Sequence, residues 1–312
     1  MHERFTNIIV SRSDSVRPAQ GTLDVHRSFL NAQHDLQDEV LFRETIDAGH
    51  VKIGLSGTRT PYFNTALFKE PQAALLDLDQ IQGVFTTRDR EPALYVDETD
   101  RNLETTLTRM GWEKQWSDVW MRWNGGPIDR STYEGYVDLV RTYDDLTTFW
   151  QTLRSAHLDK DSYNNPYGPI PNSQIDELER VWSAHHKSGR VRYFIGYDDE
   201  RGVKTRKPVS VAAVTSKSFF TEDAGKLGSA TLHVLTSGGT IPSARGGGFA
   251  RKVVHACINE PATIHGLLQQ GDQIHTLATV PEMGPHHFAR RLGFEDVLTA
   301  GGWVKRQEQK AA

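Results

Sequence analysis

The residues best suited to chemistry lie in the second half of the chain, in the run Arg245-Gly246-Gly247-Gly248-Phe249-Ala250. Consecutive glycines let backbone N–H groups approach an anion with no Cβ in the way, and phosphate is the natural guest. Behind them Phe249, Val253, Val254, Cys257 and Ile258 recur at helical spacing, so the loop stands at a helix N-terminus. There the free N–H groups of the first turn and the helix dipole favour a pyrophosphate. No Gly-Lys-Ser/Thr follows the glycines, as a nucleotide triphosphatase loop requires, and the GxGxxG spacing of dinucleotide sites is absent. Taken alone, a glycine run also reads as a plain surface turn.

Histidines supply the other candidate chemistry. His233 sits in Thr231-Leu232-His233-Val234-Leu235, and an ordinary imidazole pKa of about 6.5 suits proton exchange at neutral pH. The two-residue period of a strand puts Thr231, His233 and Leu235 on one face. A general base results if that face meets an acceptor, and a hydrogen-bonded strand residue if it faces the sheet's other layer. His286 and His287 are neighbours on a helix, about 100° apart, so at most one aims inward; the alternative for this pair, as for His185-His186, is a solvated face. There is no HExxH pattern and no carboxylate cluster at ligand spacing, so no metal is expected. Cys257, the one cysteine, rules out an intrachain disulfide and any CxxC site and reads as a buried helix thiol.

Positioning these groups requires alternating helices and strands. In the first half a helix is predicted from Leu23 to Asp47, a strand from Tyr62 to Phe68, a helix from Gln72 to Val84 and a strand over Ala93–Val96. The stripe Leu103, Leu107, Met110 then stops at Gly111, and Trp116 to Trp123 reads as a strand closed by Asn124-Gly125-Gly126-Pro127. The second half begins with a strand at Tyr136–Val140 and a helix from Leu146 to His157. A second helix follows from Ser173, with a capping box to Asp176. Strands over Val191–Tyr197, Val209–Thr215 and Ala230–Thr236 then lead into the glycine loop. Helix, Gly111-Trp112-Glu113 and strand recur near the end as helix, Gly293-Phe294-Glu295 and strand, which suggests two related halves.

A length of 312 residues suits two domains; the boundary is placed at residues 1–126 and 131–312. The formal charge of −4 offers no basic footprint, so neither nucleic acid nor membrane is an expected partner. No apolar run near the N-terminus is long enough for a signal peptide or span, and a soluble cytoplasmic protein, monomer or homodimer, is expected.

The loop resembles the cofactor signature Arg/Gln-x-x-Gly-x-Gly/Ala of the GCN5-related N-acetyltransferase family, with Arg245, Gly248 and Ala250 at the signature positions. The resemblance extends over roughly Tyr136 to Arg306 and includes the closing Leu-Gly-Phe-Glu at Leu292–Glu295. It implies an α/β (α+β) fold of two tandem domains, each a mixed, mostly antiparallel twisted sheet flanked by helices, with the first half a degenerate copy lacking the loop. It further implies that acetyl-CoA is the cosubstrate. Backbone amides of Arg245, Gly246, Gly247, Gly248, Phe249 and Ala250 would bind its pyrophosphate, and Leu235 and Thr236 would hold the pantetheine arm where their strand splays from Ile274–Val280. The expected reaction is direct acetyl transfer to a primary amine of a small molecule, with His233 as candidate base. Alternatives are a protein lysine or N-terminal acetyltransferase and a catalytically silent acyl-CoA-binding regulator. In members with two histidines on this strand, the second falls at His233 and Thr231 replaces the first. Many members carry an acidic tyrosine at the position of Ala289, which removes the usual proton donor. The segment Leu158–Asn172, with Asp159, Asp161, Tyr163 and Tyr167, corresponds to the region that shapes the acceptor cleft.

Overall fold

Helix-forming and strand-forming stretches alternate throughout the computed structural model, which describes residues 20–305 except 39, 71–74, 76–77, 127, 160–170, 186–188, 200–205, 224–225 and 265–272. The first half runs α1 (Gln20–Gln37), β1 (Glu44–Ala48), β2 (Val51–Leu55), β3 (Asn64–Phe68), α2 (Leu78–Thr87), β4 (Ala93–Asp97), α3 (Arg101–Arg109) and β5 (Trp112–Trp123). The second runs β6 (Val137–Leu139), α4 (Tyr143–Ala156), α5 (Asn172–His185), β7 (Val191–Tyr197), β8 (Pro208–Asp223) and β9 (Lys226–Thr240). It closes with α6 (Phe249–Ile264), β10 (Gln273–Thr279), α7 (Gly284–Leu292) and β11 (Phe294–Lys305).

These elements form two units, one containing Met121–Glu295 and the other Ile8–Trp120 with Asp296–Ala312. In the unit built on the first half the strand order is β1-β2-β3-β4-β11-β5. The closing strand therefore groups with the first half, whereas the boundary drawn from sequence kept it with the second. The cause is where its apolar side chains find partners. β11 pairs antiparallel with β4, from Ala300 opposite Asp97 to Val304 opposite Ala93. Trp303 packs with Leu94, Val96, Leu103, Leu107 and Trp112, and Val304 packs with Ala93 and Trp116. Gly302 permits the approach, since a Cβ there would fall 1.9 Å from the Trp116 ring.

The repeated Gly-aromatic-Glu segment has a structural counterpart at both places. Gly111 after α3 and Gly293 after α7 take left-handed backbone, with φ of 78° and 107°, the conformation that ends a helix and favours glycine. Each is followed by a strand of 12 residues with nearly the same burial alternation.

The helix predicted to reach Asp47 stops at Gln37, because Gly49 at φ 68° turns a hairpin that draws Glu44–Ala48 into register with Val51–Leu55. Of the helix predicted from Gln72, residues 72–74 and 76–77 lie outside the described residues, and the helix is described over Leu78–Thr87. α5 begins at Asn172, one residue before the predicted start at Ser173, and the Asp176 carboxylate accepts from Arg154 at 2.6 Å. Thr142 and Asp145 form a capping box at the start of α4.

One buried acid in the first unit has a measurable consequence. Asp118 of β5 is 1 % exposed and accepts from the Tyr95 hydroxyl at 3.1 Å, whose oxygen accepts from the Trp120 indole N–H at 3.0 Å. Burial pushes the carboxyl up to about 8, against the downward pull of hydrogen bonds from Tyr95 and Trp116. The folded state therefore keeps the proton that the unfolded chain loses near pH ~3.9. Stability contributed by the neutral acid is present below that value and is lost as pH rises towards about 8. Urea midpoints are expected to fall across this window, and the fall should flatten in Asp118→Asn. Parallel pH dependence in the two proteins would contradict the assignment.

In the second unit the strand order is β10-β9-β8-β7-β6, antiparallel except for the parallel pair β9/β10. α4 covers one face, where Phe149 packs on Tyr193 with ring centroids 4.9 Å apart. α6 covers the other, where Val253 fills the space a Cβ on Gly196 would need, 2.5 Å away. Both helices present apolar stripes, including Phe149, Trp150 and Leu153 on α4 and Val253, Cys257 and Ile258 on α6, all buried.

Candidate active site

The site is built where β9 and β10 part. They pair from Leu232 opposite Gln273 to Leu235 opposite Thr276, and beyond that β9 runs on to Thr240 and β10 to Thr279. β9 also bulges against β8: Ala213 lies opposite Thr236 and Val211 opposite Gly239, so Ser237 and Gly238 face the single residue Ala212. Ser237 takes φ 45° to make the bulge. An extra residue bends the strand and frees its backbone from regular pairing. Leu235 and Thr236 stand at the fork.

From β9 the chain passes through a short turn at Pro242–Ala244 into Arg245 and the glycines, and α6 starts at Phe249. Gly246 and Gly248 have φ of 82° and 80°, and a Cβ at either would meet nothing within 4 Å. Both positions need glycine for their backbone, and a side chain at either would project into open space at the head of α6. Gly247 differs: a Cβ there would lie 2.5 Å from the Phe249 ring. The Arg245 side chain faces away from anion duty. Its guanidinium donates to both Asp159 carboxylate oxygens, at 2.5 and 3.1 Å, to the Ala156 carbonyl at 3.1 Å and to the Thr240 carbonyl at 3.3 Å. Its charge is thus matched by Asp159, and attraction for an anion is left to the amides and the helix end.

His233 is 1 % exposed, with Nδ1 2.8 Å from the Ser216 hydroxyl oxygen. Ser216 lies directly opposite it on β8. Gly196 pairs with Ser210, and alternation along β8 then puts Ala212, Val214, Ser216 and hence His233 on the face that carries α6. A further histidine, His275, is buried on β10 beside Val234. Burial, assisted by Arg122, holds it down at about 3 and therefore neutral.

His157, at the C-cap of α4, reaches the bulge: its Nε2 donates to the Gly238 carbonyl at 3.3 Å. Burial and the nearby Arg245 lower its pKa, so the ring stays neutral. In the sequence His157 reads only as the end of a helix and Asp159 as part of an acceptor loop. No local pattern pairs Asp159 with an arginine 86 positions away. Of the remaining cleft segment, residues 160–170 lie outside the described residues, as does His186.

Of the histidine pair, His286 is the inner one, 1 % exposed, while the His287 side chain is 38 % exposed. The solvated-face reading therefore fails for His286. Its Nδ1 accepts from the Glu282 N–H at 2.9 Å, which puts the proton of the neutral ring on Nε2. Val280 and Glu282, flanking Pro281, hold left-handed backbone at φ 59° and 61°, costing roughly 1–3 kcal/mol each, and this geometry aims that N–H. Ala289 is buried and brings no hydroxyl. Cys257 is buried and its thiol is pushed well up by burial. Among the described residues no group of three or more His, Cys, Asp or Glu could hold a metal, and no helix is long and apolar enough to cross a membrane.

No family model matches the sequence, and no curated protein matches it. Solved structures do. A GCN5-related N-acetyltransferase from Kribbella flavida superposes with TM-score 0.58 at 18% identity, covering 94% of this chain and 99% of that one. A GCN5-related N-acetyltransferase from Sphaerobacter thermophilus gives TM-score 0.54 at 11% identity, over 88% of this chain and 86% of that one. A tandem GNAT protein from the clavulanic acid biosynthesis pathway gives 0.53 at 11% identity, over 94% and 90%. Splayed parallel strands, a bulge, a glycine turn into a helix and these whole-length superpositions together show that the chain has the tandem fold of the GCN5-related N-acetyltransferases.

Proposed function

We propose that the second unit is an acetyl-CoA-dependent N-acetyltransferase acting on the primary amine of a small molecule, and that the first half is a degenerate copy that binds no acetyl-CoA. The observation that carries the proposal is the glycine turn at the head of α6, with open space beside Gly246 and Gly248, next to strands that have stopped pairing. The backbone amides of Arg245 to Ala250 would hold the pyrophosphate, and the freed backbone of Leu235 and Thr236 the pantetheine arm. In the first half the segment between β3 and α2, residues 69–77, contains no glycine and carries Glu70 and Asp77. Acidic side chains there disfavour a phosphate.

Acetyl-CoA supplies the acetyl group as a thioester; the chain must orient the amine, remove its proton and supply one to the departing sulfur. His233 is the proposed proton acceptor; its 1 % exposure and its Ser216 hydrogen bond on the face that carries α6 are the marks of a structural strand residue, so the assignment stands or falls with removal of the imidazole. His233→Ala is expected to lower turnover about 10²-fold in a thiol-release assay over a panel of primary amines, with acetyl-CoA affinity unchanged. Wild-type turnover in that variant would make His233 a structural strand residue. A second reading, a silent acyl-CoA-binding protein, is favoured by the buried Ala289. Acetyl-CoA binding with no thiol release for any amine would select it.

A further inference from the structure

We propose that His157 is a positioning residue for the acyl-CoA arm, acting through the Gly238 carbonyl; this rests on the reading of the second unit as an acetyl-CoA site. The end of α4 is fastened at both parts of that site. On the strand side, the His157 Nε2–H meets Gly238 within the β9 bulge at 3.3 Å. The approach depends on Gly239, where a Cβ would stand 2.7 Å from the Ala156 Cβ and 3.2 Å from His157 Nε2. On the loop side, Arg245 joins the Ala156 carbonyl, the Asp159 carboxylate and the Thr240 carbonyl.

The two fastenings do different work. Arg245 braces the loop that would receive phosphates. His157 orients peptide groups at Ser237–Gly238, where β9 has left its regular pairing and where Ser237 is held at φ 45°. A left-handed serine persists only when its surroundings over-determine it, and the imidazole is one of those constraints. Donation from Nε2 fixes the tautomer, so the Nδ1 lone pair is unprotonated; it is enclosed and has no hydrogen-bond partner among the described residues. An unsatisfied buried acceptor costs on the order of 1–3 kcal/mol. Holding the bulge offsets that cost.

The test is calorimetric titration of the full chain with acetyl-CoA and, separately, with an adenosine bisphosphate lacking the pantetheine arm. His157→Ala is expected to weaken acetyl-CoA about 10-fold, the order of one hydrogen bond's alignment, and to leave the armless nucleotide unchanged. With an active amine, KM for acetyl-CoA should rise while kcat at saturation holds. His157→Gln, whose amide can donate to Gly238, should restore affinity. Gly239→Ala, which pushes the end of α4 off the bulge, should reproduce the loss independently should the alanine variant fold poorly. Unchanged acetyl-CoA affinity in His157→Ala or Gly239→Ala, an equal loss for the armless nucleotide, or no rescue by glutamine overturns the proposal. Absence of acetyl-CoA binding by the wild-type protein would instead remove the function on which it rests.

Discussion

Removal of residues 296–312 is expected to unfold the unit built from the first half, although the deleted segment lies at the other end of the sequence. β11 brings Leu298, Ala300, Trp303 and Val304 into buried positions, and it lies between β4 and β5 in that unit's strand order. Truncating a single buried tryptophan to alanine costs about 3–5 kcal/mol. Loss of the whole strand adds the unpaired edge of β4 and the void beside Trp116. Domain stabilities are only about 5–15 kcal/mol, so the unit should not survive. Limited proteolysis of the truncated protein is expected to destroy the region before Trp120 while a fragment near Met121–Glu295 persists. Trp303→Ala should give a milder form, lowering the first unit's melting temperature. Native-like protease resistance of the region before Trp120 in the truncated protein would contradict the strand assignment. By the same argument, a fragment beginning at residue 131 and running to the end would carry an apolar strand without its partners and should aggregate.

Gly248→Trp is expected to abolish acetyl-CoA binding while leaving the fold in place. Position 248 has left-handed backbone and open space where a side chain would project, so an indole strains the turn and fills the volume in front of α6. Strain alone is about 1–2 kcal/mol, which Gly248→Ala isolates. That variant should lose about tenfold, whereas the tryptophan should bring affinity below detection. Circular dichroism and thermal melting distinguish loss of the site from loss of the fold. Undiminished affinity in Gly248→Trp would mean that the loop does not receive the cosubstrate.

Much of this architecture is legible in the sequence because it depends on local rules. The glycine turn, the helix behind it and the two Gly-aromatic-Glu helix ends are encoded by residues within a few positions of each other, and the structure has them there. Hidden features depend on long separations. Nothing near Phe294–Lys305 announces that its partners are Ala93–Asp97, and an apolar strand reads the same whichever sheet receives it. Asp159 likewise looks like any loop carboxylate until Arg245 is brought to it. His233 was placed on a strand, but its face followed only from Gly196 meeting Val253 and the register across β7 and β8. The β9 bulge was invisible, since Thr236-Ser237-Gly238-Gly239 carries no pairing information until β8 is beside it.

The central claim, one functional cosubstrate site in the glycine turn of the second unit, is tested most directly by calorimetric titration of the full chain with acetyl-CoA, with NADH as control. Micromolar binding at one site per chain, and none for NADH, is expected. No binding at millimolar acetyl-CoA, or two equivalent sites per chain, would contradict it.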